Sequence, residues 1–194
     1  MFNNHDKYKF RIDYYNYDNI EDYLFKDCSI MYKAYSKIMV IDCDGIISTN
    51  ESFYTADGKY MKSYGCYDKE MISYMRKIGW RFLFVTADGN GYEITKSRIK
   101  DINCELIFVP SDERKEFIRQ LKNDYKIVVY IGDSISDIDA LLEANYAGTT
   151  NNAPMMVKNF CDYISLYNGG YGGLADIIWN LHEGINNDIK EKDL

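Results

Sequence analysis

Six polar residues of this sequence follow apolar runs, either directly or a few residues later. They are Asp42, Asp44, Thr86, Lys115, Asp133 and Asp137. The first two stand one residue apart in VIDCDG, immediately after the run KIMVI. Two carboxylates this close repel each other unless a positive charge compensates them. The stretch is therefore either an exposed turn or part of a site that holds a cation.

The elements that must position these residues alternate between apolar strands and amphipathic helices. KIMVI, WRFLFVT, CELIFV and KIVVYIGD are typical of buried strands, and amphipathic segments separate them. This order predicts an α/β, Rossmann-like fold with a mostly parallel sheet and helices on both faces. Ligands of such sheets bind at the carboxyl ends of the strands, where all six residues would meet.

Carboxylates gathered at one edge indicate a hard divalent cation, and Mg²⁺ is the expected cofactor. A divalent cation and a lysine together neutralise the oxygens of a transferring phosphoryl group. One carboxylate can act as the nucleophile, while the other carries a proton.

Each motif taken singly also has a simpler interpretation. D-x-D-G is commonly a turn, Thr86 ends a strand, and Lys115 suits a solvated helix face. The stretch GDSISD could be a helix start with acidic caps. The order of all four motifs along one predicted sheet favours a shared site.

Three segments are expected along the chain. We expect residues 1–36 to form a polar N-terminal extension, residues 37–184 the α/β core, and residues 185–194 a polar C-terminal tail. Within the core, Asp57-Gly58 between two β-prone runs predicts a hairpin flap over about residues 47–66.

Composition excludes several classes of partner. The net charge is −7, which argues against nucleic-acid binding. No apolar run approaches the ~20 residues that cross a bilayer, and the polar N-terminus does not resemble a signal peptide. We expect a soluble cytoplasmic protein whose partner is a small phosphorylated substrate.

The motifs DCDG, Thr86 after FLFV, Lys115 and GDSISD resemble those of the haloacid dehalogenase-like phosphohydrolases, over roughly residues 37–182. The resemblance implies that Asp42 attacks phosphorus and becomes an aspartyl-phosphate, and that Asp44 serves as general acid and base. Thr86 and Lys115 would bind the phosphoryl oxygens. Mg²⁺ would be held by Asp42, the Asp44 carbonyl and Asp133, with assistance from Asp137.

The predicted hairpin, in place of a large cap, resembles the small members similar to 3-deoxy-manno-octulosonate 8-phosphate phosphatase. Those also act on related nine-carbon sugar-acid phosphates, and members of this size are usually homotetramers. The resemblance implies that Asp68 and Arg98 contribute to substrate binding, together with Asp44 and Lys115.

Several positions depart from that family's pattern. Tyr67 replaces an arginine, Ala87-Asp88 replaces Gly-Arg, and no arginine stands near Ala175. Such arginines would pair with a sugar-acid carboxylate, which Asp88 would instead repel. Asp88 could accept hydrogen bonds from sugar hydroxyls.

The expected function is therefore a Mg²⁺-dependent phosphatase of a sugar or sugar-acid phosphate, with Kdo-8-phosphate or a nonulosonate 9-phosphate as examples. Two alternatives stay open. One is a phosphotransferase or mutase of the same superfamily, and the other is a non-catalytic binding module that retains the fold.

Overall fold

The computed structural model describes residues 36–192, with side chains up to residue 187. The predicted N-terminal extension, apart from Ser36, lies outside these residues. No helix among the described residues is both long and apolar enough to span a membrane.

Eight strands and six helices succeed one another in the described residues. The strands are β1 (Lys37–Asp42), β2 (Ser48–Thr55), β3 (Gly58–Tyr64), β4 (Trp80–Thr86), β5 (Glu105–Phe108), β6 (Ile127–Ile131), β7 (Tyr146–Thr149) and β8 (Tyr163–Ile164). The helices are α1 (Tyr67–Lys77), α2 (Tyr92–Asp101), α3 (Arg114–Leu121), α4 (Ile138–Glu143), α5 (Met155–Lys158) and α6 (Gly173–Lys192).

Six strands form a parallel sheet in the order β5-β4-β1-β6-β7-β8, which confirms the predicted fold class. β1 lies between β4 and β6. Lys37, its first residue, pairs with Trp80 of β4 and with Ile127 of β6. The residues of β1 from Ile38 to Asp42 are buried, as expected for a central strand covered on both faces. The ends of β1, β4 and β6 therefore lie side by side at one edge.

β2 and β3 form the predicted antiparallel hairpin, which pairs Thr55 with Gly58 across the turn. Its register shifts between Ser48 and Ser52, where Asn50 adopts a left-handed conformation with φ of 67°. Such a conformation is uncommon for a residue other than glycine and marks a local bend of the strand.

The final helix extends beyond the point where the sequence analysis placed a polar tail. α6 continues to Lys192, and Ile185 is fully buried in the hydrophobic core with Leu174, Ile178 and Leu181. These residues recur at helical spacing, so the apolar stripe holds the helix on the sheet past residue 184.

Candidate active site

The turn after β1 presents the first pair of carboxylates. Asp42 ends the strand and is 6 % exposed, Cys43 packs into the core, and the Asp44 side chain faces the cleft. Gly45 has φ of 77°, and a Cβ at this position would stand 1.9 Å from Asp133 Oδ2. Only glycine satisfies both the left-handed backbone and this close approach.

Asp42, Asp133 and Asp137 form a buried acidic cluster, with one carboxylate oxygen of each lying within 4.8 Å of the others. Burial and the charge of Asp137 raise the pKa of Asp42 well above its ordinary value, and Arg114 offsets this only partly. Burial, Asp137 and Asp44 raise the pKa of Asp133 to about 7. The cluster holds more negative charge than the neighbouring protein groups compensate.

This donor set fits a divalent cation. All three ligand candidates offer hard carboxylate oxygens, which suit Mg²⁺ better than a soft metal. A cation there would remove the mutual repulsion that raises the pKa of Asp42 and Asp133.

Arg114 is the positive group that the structure places inside the cluster. Its Nη2 lies 2.9 Å from Asp42 Oδ1, and its Nη1 donates to Asp137 and to the Tyr130 hydroxyl, the latter at 3.1 Å. The Tyr130 hydroxyl in turn donates to Asp137 Oδ1 at 2.6 Å. Arg114 therefore links two of the three carboxylates and is itself only 4 % exposed.

The structure does not bring Lys115 to the site. Lys115 is exposed and does not line the cleft, whereas Arg114, one residue earlier, does. The spacing of α3 explains this, because Arg114 continues the buried stripe formed by Phe117, Ile118 and Leu121. That i, i+3, i+4, i+7 pattern was the sequence signal that could have identified Arg114.

The cleft beside the cluster has a volume of ≈ 750 Å³. Its lining comprises Asp42, Asp44, Asn50, Thr86, Ala87, Asp88, Arg114, Asp133, Ser134, Ile135, Ser136, Asn152 and Pro154. Thr86 is 2 % exposed, and its Oγ1 accepts a hydrogen bond of 3.1 Å from the Asp88 N–H. The Thr86 hydroxyl hydrogen is thereby directed away from that amide and can donate to an oxygen in the cleft.

Lys62 of the hairpin links Asp44, the candidate general acid and base, to the loop after β4. Its Nζ lies 2.8 Å from Asp44 Oδ1, 2.8 Å from Asp88 Oδ2 and 2.9 Å from Thr95 Oγ1. Burial lowers the pKa of Lys62, but the hydrogen bonds to Asp44 and Asp88 outweigh it and raise the pKa overall. The sequence analysis missed Lys62, because nothing local in the hairpin indicates which residues it will face.

Asp88 is held as an ionised acceptor at the cleft wall. Lys59 and Lys62 both pair with its Oδ2, and the Gly91 N–H donates to its Oδ1 at 2.9 Å. Burial opposes ionisation, yet the hydrogen bonds from Lys59, Lys62 and Gly91 lower the pKa of Asp88 to about 2. The hairpin is therefore tied to this loop by two lysines.

The loop after β7 also holds the turn that follows β1. The Gly45 carbonyl accepts hydrogen bonds from Thr150 Oγ1 at 3.0 Å and from Asn152 Nδ2 at 3.2 Å. Asn152 Nδ2 also lies 3.2 Å from Asp133 Oδ2. These contacts fix the turn relative to the third carboxylate, and the sequence analysis did not identify them.

Asp137 has a second, structural role. Its carboxylate accepts from the Ser134 N–H at 2.9 Å, and Ser134 and Asp137 form a reciprocal capping box. The acidic-cap interpretation of GDSISD is thus also correct, since one side chain both caps the short 3₁₀ turn and faces the cluster.

Asp68 and Arg98 lie away from the cleft, contrary to what the family resemblance implied. Asp68 is 1 % exposed in the first turn of α1, and Arg98 donates to the Gly65 carbonyl and to Asp101, both at 2.7 Å. Burial raises the pKa of Asp68 to about 6, and Arg98 and the Ala175 N–H offset this only partly. Asp68 thus faces the first turn of α6, and Arg98 holds the residue that precedes Cys66 and α1.

The chain is similar to known proteins both in sequence and in structure. No family model matches the sequence. The 3-deoxy-D-manno-octulosonate 8-phosphate phosphatase KdsC of Haemophilus influenzae is 24 % identical over 145 residues, which cover 73 % of this chain and 79 % of that protein. The N-acylneuraminate cytidylyltransferase A of Danio rerio is also 24 % identical, over 72 % of this chain but only 33 % of its own length.

Among solved structures, the Moraxella catarrhalis 3-deoxy-D-manno-octulosonate 8-phosphate phosphatase, in complex with a magnesium ion, a phosphate ion and a KDO molecule, has a TM-score of 0.66 at 21 % identity. The match covers 76 % of this chain and 86 % of that one. The cobalt-bound Haemophilus influenzae phosphatase also gives 0.66, at 22 % identity over 75 % of this chain and 88 % of that one.

The chain has the haloacid dehalogenase-like fold. Within that fold it resembles the octulosonate 8-phosphate phosphatases in structure and, distantly, in sequence. In open parallel α/β sheets ligands bind at the carboxyl ends of the strands, which is where Asp42, Thr86 and Asp133 lie here.

Proposed function

We propose that this chain is a Mg²⁺-dependent phosphomonoester hydrolase of a small phosphorylated metabolite, of the sugar or sugar-acid phosphate class. One observation carries the proposal. The ends of β1, β4 and β6 bring Asp42, Thr86 and Asp133 into one cleft, with Arg114 and Asp44 beside them. The phosphate and KDO molecules bound by the Moraxella protein support this substrate class.

Asp42 is the proposed nucleophile. One of its oxygens forms a bond to phosphorus as the bond to the leaving alcohol breaks, which gives an aspartyl-phosphate. Arg114 and the Thr86 hydroxyl lie on the cleft wall, where they can bind the phosphoryl oxygens. Mg²⁺ held by Asp42, the Asp44 carbonyl and Asp133, with Asp137 of the same buried cluster assisting, would neutralise part of the phosphoryl charge.

Asp44 is the proposed general acid and base. It gives its proton to the departing alkoxide, then removes a proton from the water that attacks the aspartyl-phosphate. This second step releases inorganic phosphate and restores Asp42. Lys62 and Ser48 Oγ, the latter 3.3 Å from Asp44 Oδ1, hold the Asp44 side chain toward the cleft.

The test measures phosphate release from an aryl phosphate with and without Mg²⁺. We expect Mg²⁺-dependent turnover in the natural sequence and none above background in Asp42→Asn. Asp57→Asn is the matched control, because it removes one exposed carboxylate from the hairpin turn and leaves Asn-Gly, which also forms such turns. Equal activity in Asp42→Asn and the control would refute the nucleophile assignment.

We also propose a homo-oligomer, with a tetramer favoured. Four large apolar side chains of the hairpin are exposed in the single chain: Phe53, Tyr54, Tyr60 and Met61. Apolar side chains clustered on one exposed element are typical of surfaces that another chain covers. Light scattering on the purified protein measures the assembly, and a monomer with full activity would refute this proposal.

A further inference from the structure

Asn152, in the loop after β7, connects three segments of the site. Its Nδ2 donates to the Gly45 carbonyl and to Asp133 Oδ2, both at 3.2 Å, and its Oδ1 accepts from the Gly169 N–H at 2.7 Å. An amide side chain has two donor hydrogens and one acceptor oxygen, so these partners use both hydrogens. The reverse orientation would set the Asn152 oxygen against two acceptors. The contacts therefore fix which end of the amide faces the acidic cluster.

The hydrogen bond from Asn152 engages one of the two Asp133 oxygens. Asp42 is in the same position, because Arg114 Nη2 lies 2.9 Å from its Oδ1. Among the described residues, no side chain donates to Asp42 Oδ2 or to Asp133 Oδ1. Each of these two carboxylates thus has one oxygen held by a side chain and one left for a cation.

Asp137 differs, because both of its oxygens are engaged. Its Oδ1 accepts from Arg114 and from the Tyr130 hydroxyl, and its Oδ2 accepts from the Ser134 N–H at 2.9 Å. The hydrogen bonds of the cluster therefore leave no carboxylate with both oxygens open to a cation.

Mg²⁺ and Ca²⁺ differ in what they require of such a cluster. Mg²⁺ is octahedral with ligands at about 2.0–2.1 Å, keeps several waters and uses roughly one or two carboxylates. Ca²⁺ takes roughly six to eight oxygens at longer distances, and a carboxylate often supplies both of its oxygens. A carboxylate restricted to one oxygen therefore remains a good ligand for Mg²⁺ and becomes a poorer one for Ca²⁺.

We propose that Asn152 is a positioning residue that restricts Asp133 to one metal-binding oxygen and thereby favours Mg²⁺ over Ca²⁺. The inference rests on the proposed function, since it concerns the cation of the proposed hydrolase. A water in place of the Asn152 side chain can also bond to Asp133 Oδ2, but an incoming cation displaces it. The Asn152 amide resists displacement, because Gly45 and Gly169 hold it from two further segments.

The experiment measures the Kd of Mg²⁺ and of Ca²⁺ by isothermal titration calorimetry on the full chain, without a substrate. We expect the ratio of the Ca²⁺ Kd to the Mg²⁺ Kd to fall about tenfold in Asn152→Ala, at the lower end of what outer-shell partners contribute to metal affinity. Thr150→Val is the matched control, because it removes the other side-chain hydrogen bond to the Gly45 carbonyl, at 3.0 Å, and leaves the bond to Asp133 in place. Its ratio should stay close to that of the natural protein. Asn152→Leu, which has a similar volume and no donor, repeats the comparison if Asn152→Ala does not fold.

The outcomes separate this inference from the proposed function. Equal losses of affinity for both ions in Asn152→Ala overturn the inference, because Asn152 then only orders the turn. A fall of the ratio in Thr150→Val as large as in Asn152→Ala also overturns it, since Thr150 has no bond to Asp133. In both cases, Mg²⁺-dependent phosphate release from an aryl phosphate leaves the proposed function standing. Cation binding with the expected change of ratio, but without phosphate release, refutes the proposed function and supports the role of Asn152.

Discussion

Replacement of Arg114 tests the electrostatic design of the site most directly. Arg114→Met removes the cation that pairs with Asp42 at 2.9 Å and with Asp137, while it keeps an apolar stem of similar length on the buried stripe of α3. The side chains of all three residues are less than a tenth exposed. Removing one partner from a buried ion pair costs about 3–5 kcal/mol, because the other charges stay buried without compensation.

The same charge should matter for catalysis. A preorganised positive group at developing negative charge is worth about 10²–10³ in kcat. We therefore expect Arg114→Met to lower the free energy of unfolding by about 3–5 kcal/mol without Mg²⁺, and to lower kcat/KM for an aryl phosphate by roughly a hundredfold or more. Arg114→Lys should recover part of both losses, since one ammonium keeps the charge but cannot reach both carboxylates as a fork does.

The matched control is Lys115→Met, on the exposed side of the same helix. It removes the same charge one residue away, and we expect a change within about ±0.5 kcal/mol and no loss of kcat/KM. Urea denaturation and steady-state phosphate release measure the two quantities. A loss of activity in Lys115→Met, with Arg114→Met within threefold of the natural protein, would refute the assignment of Arg114.

Three further predictions concern the turn, the cluster and the buried carboxyl of α1. Gly45→Ala forces a side chain into a left-handed backbone and against Asp133, so we expect lower thermal stability and loss of Mg²⁺-dependent turnover, both absent in Gly184→Ala, where a Cβ meets nothing within 4 Å. Mg²⁺ at about 100 times its Kd should raise the unfolding midpoint by roughly 5–10 °C, and Asp133→Asn should remove most of that shift in a thermal melt. For Asp68, the folded pKa of about 6 lies above the ordinary value of 3.8. The folded state thus binds a proton that the unfolded chain loses, and stability falls as pH rises from about 4 to 6, by up to ~3 kcal/mol. Asp68→Asn should therefore be more stable than the natural protein at pH 8 and similar to it at pH 4; equal stability at both pH values would contradict this reasoning.

The strand ends and their chemistry were predictable from sequence because both depend on local pattern. Four apolar runs alternate with amphipathic segments, which indicates a parallel sheet, and the polar residues after those runs must meet at its edge. The positions of Asp42, Thr86 and Asp133 at adjacent strand ends follow from this rule. The hairpin turn at Asp57-Gly58 was equally local.

The phase of helix α3 determines which residue supplies the cation in the acidic cluster. Successive helical residues point about 100° apart, so Arg114 and Lys115 cannot both face the sheet. Arg114 lies on the same buried stripe as Phe117 and Leu121, so it is the residue that faces the sheet. The sequence analysis selected Lys115, on the solvent side, from its place early in the helix and from the family resemblance, without weighing this stripe.

What only the tertiary structure decided is how the hairpin closes on the site. Lys62 lies 18 residues from Asp44 along the chain and 26 from Asp88, yet it contacts both, because β3 folds back over the ends of β1 and β4. No periodicity in the sequence encodes which carboxylate a hairpin lysine will meet. Asp68 and Arg98 lie away from the cleft, where Arg98 donates to Gly65 and to Asp101, while Asp88 lies on the cleft wall. By itself, the sequence determined the chemistry at the strand ends through local pattern, while long-range packing determined the charges around the leaving group.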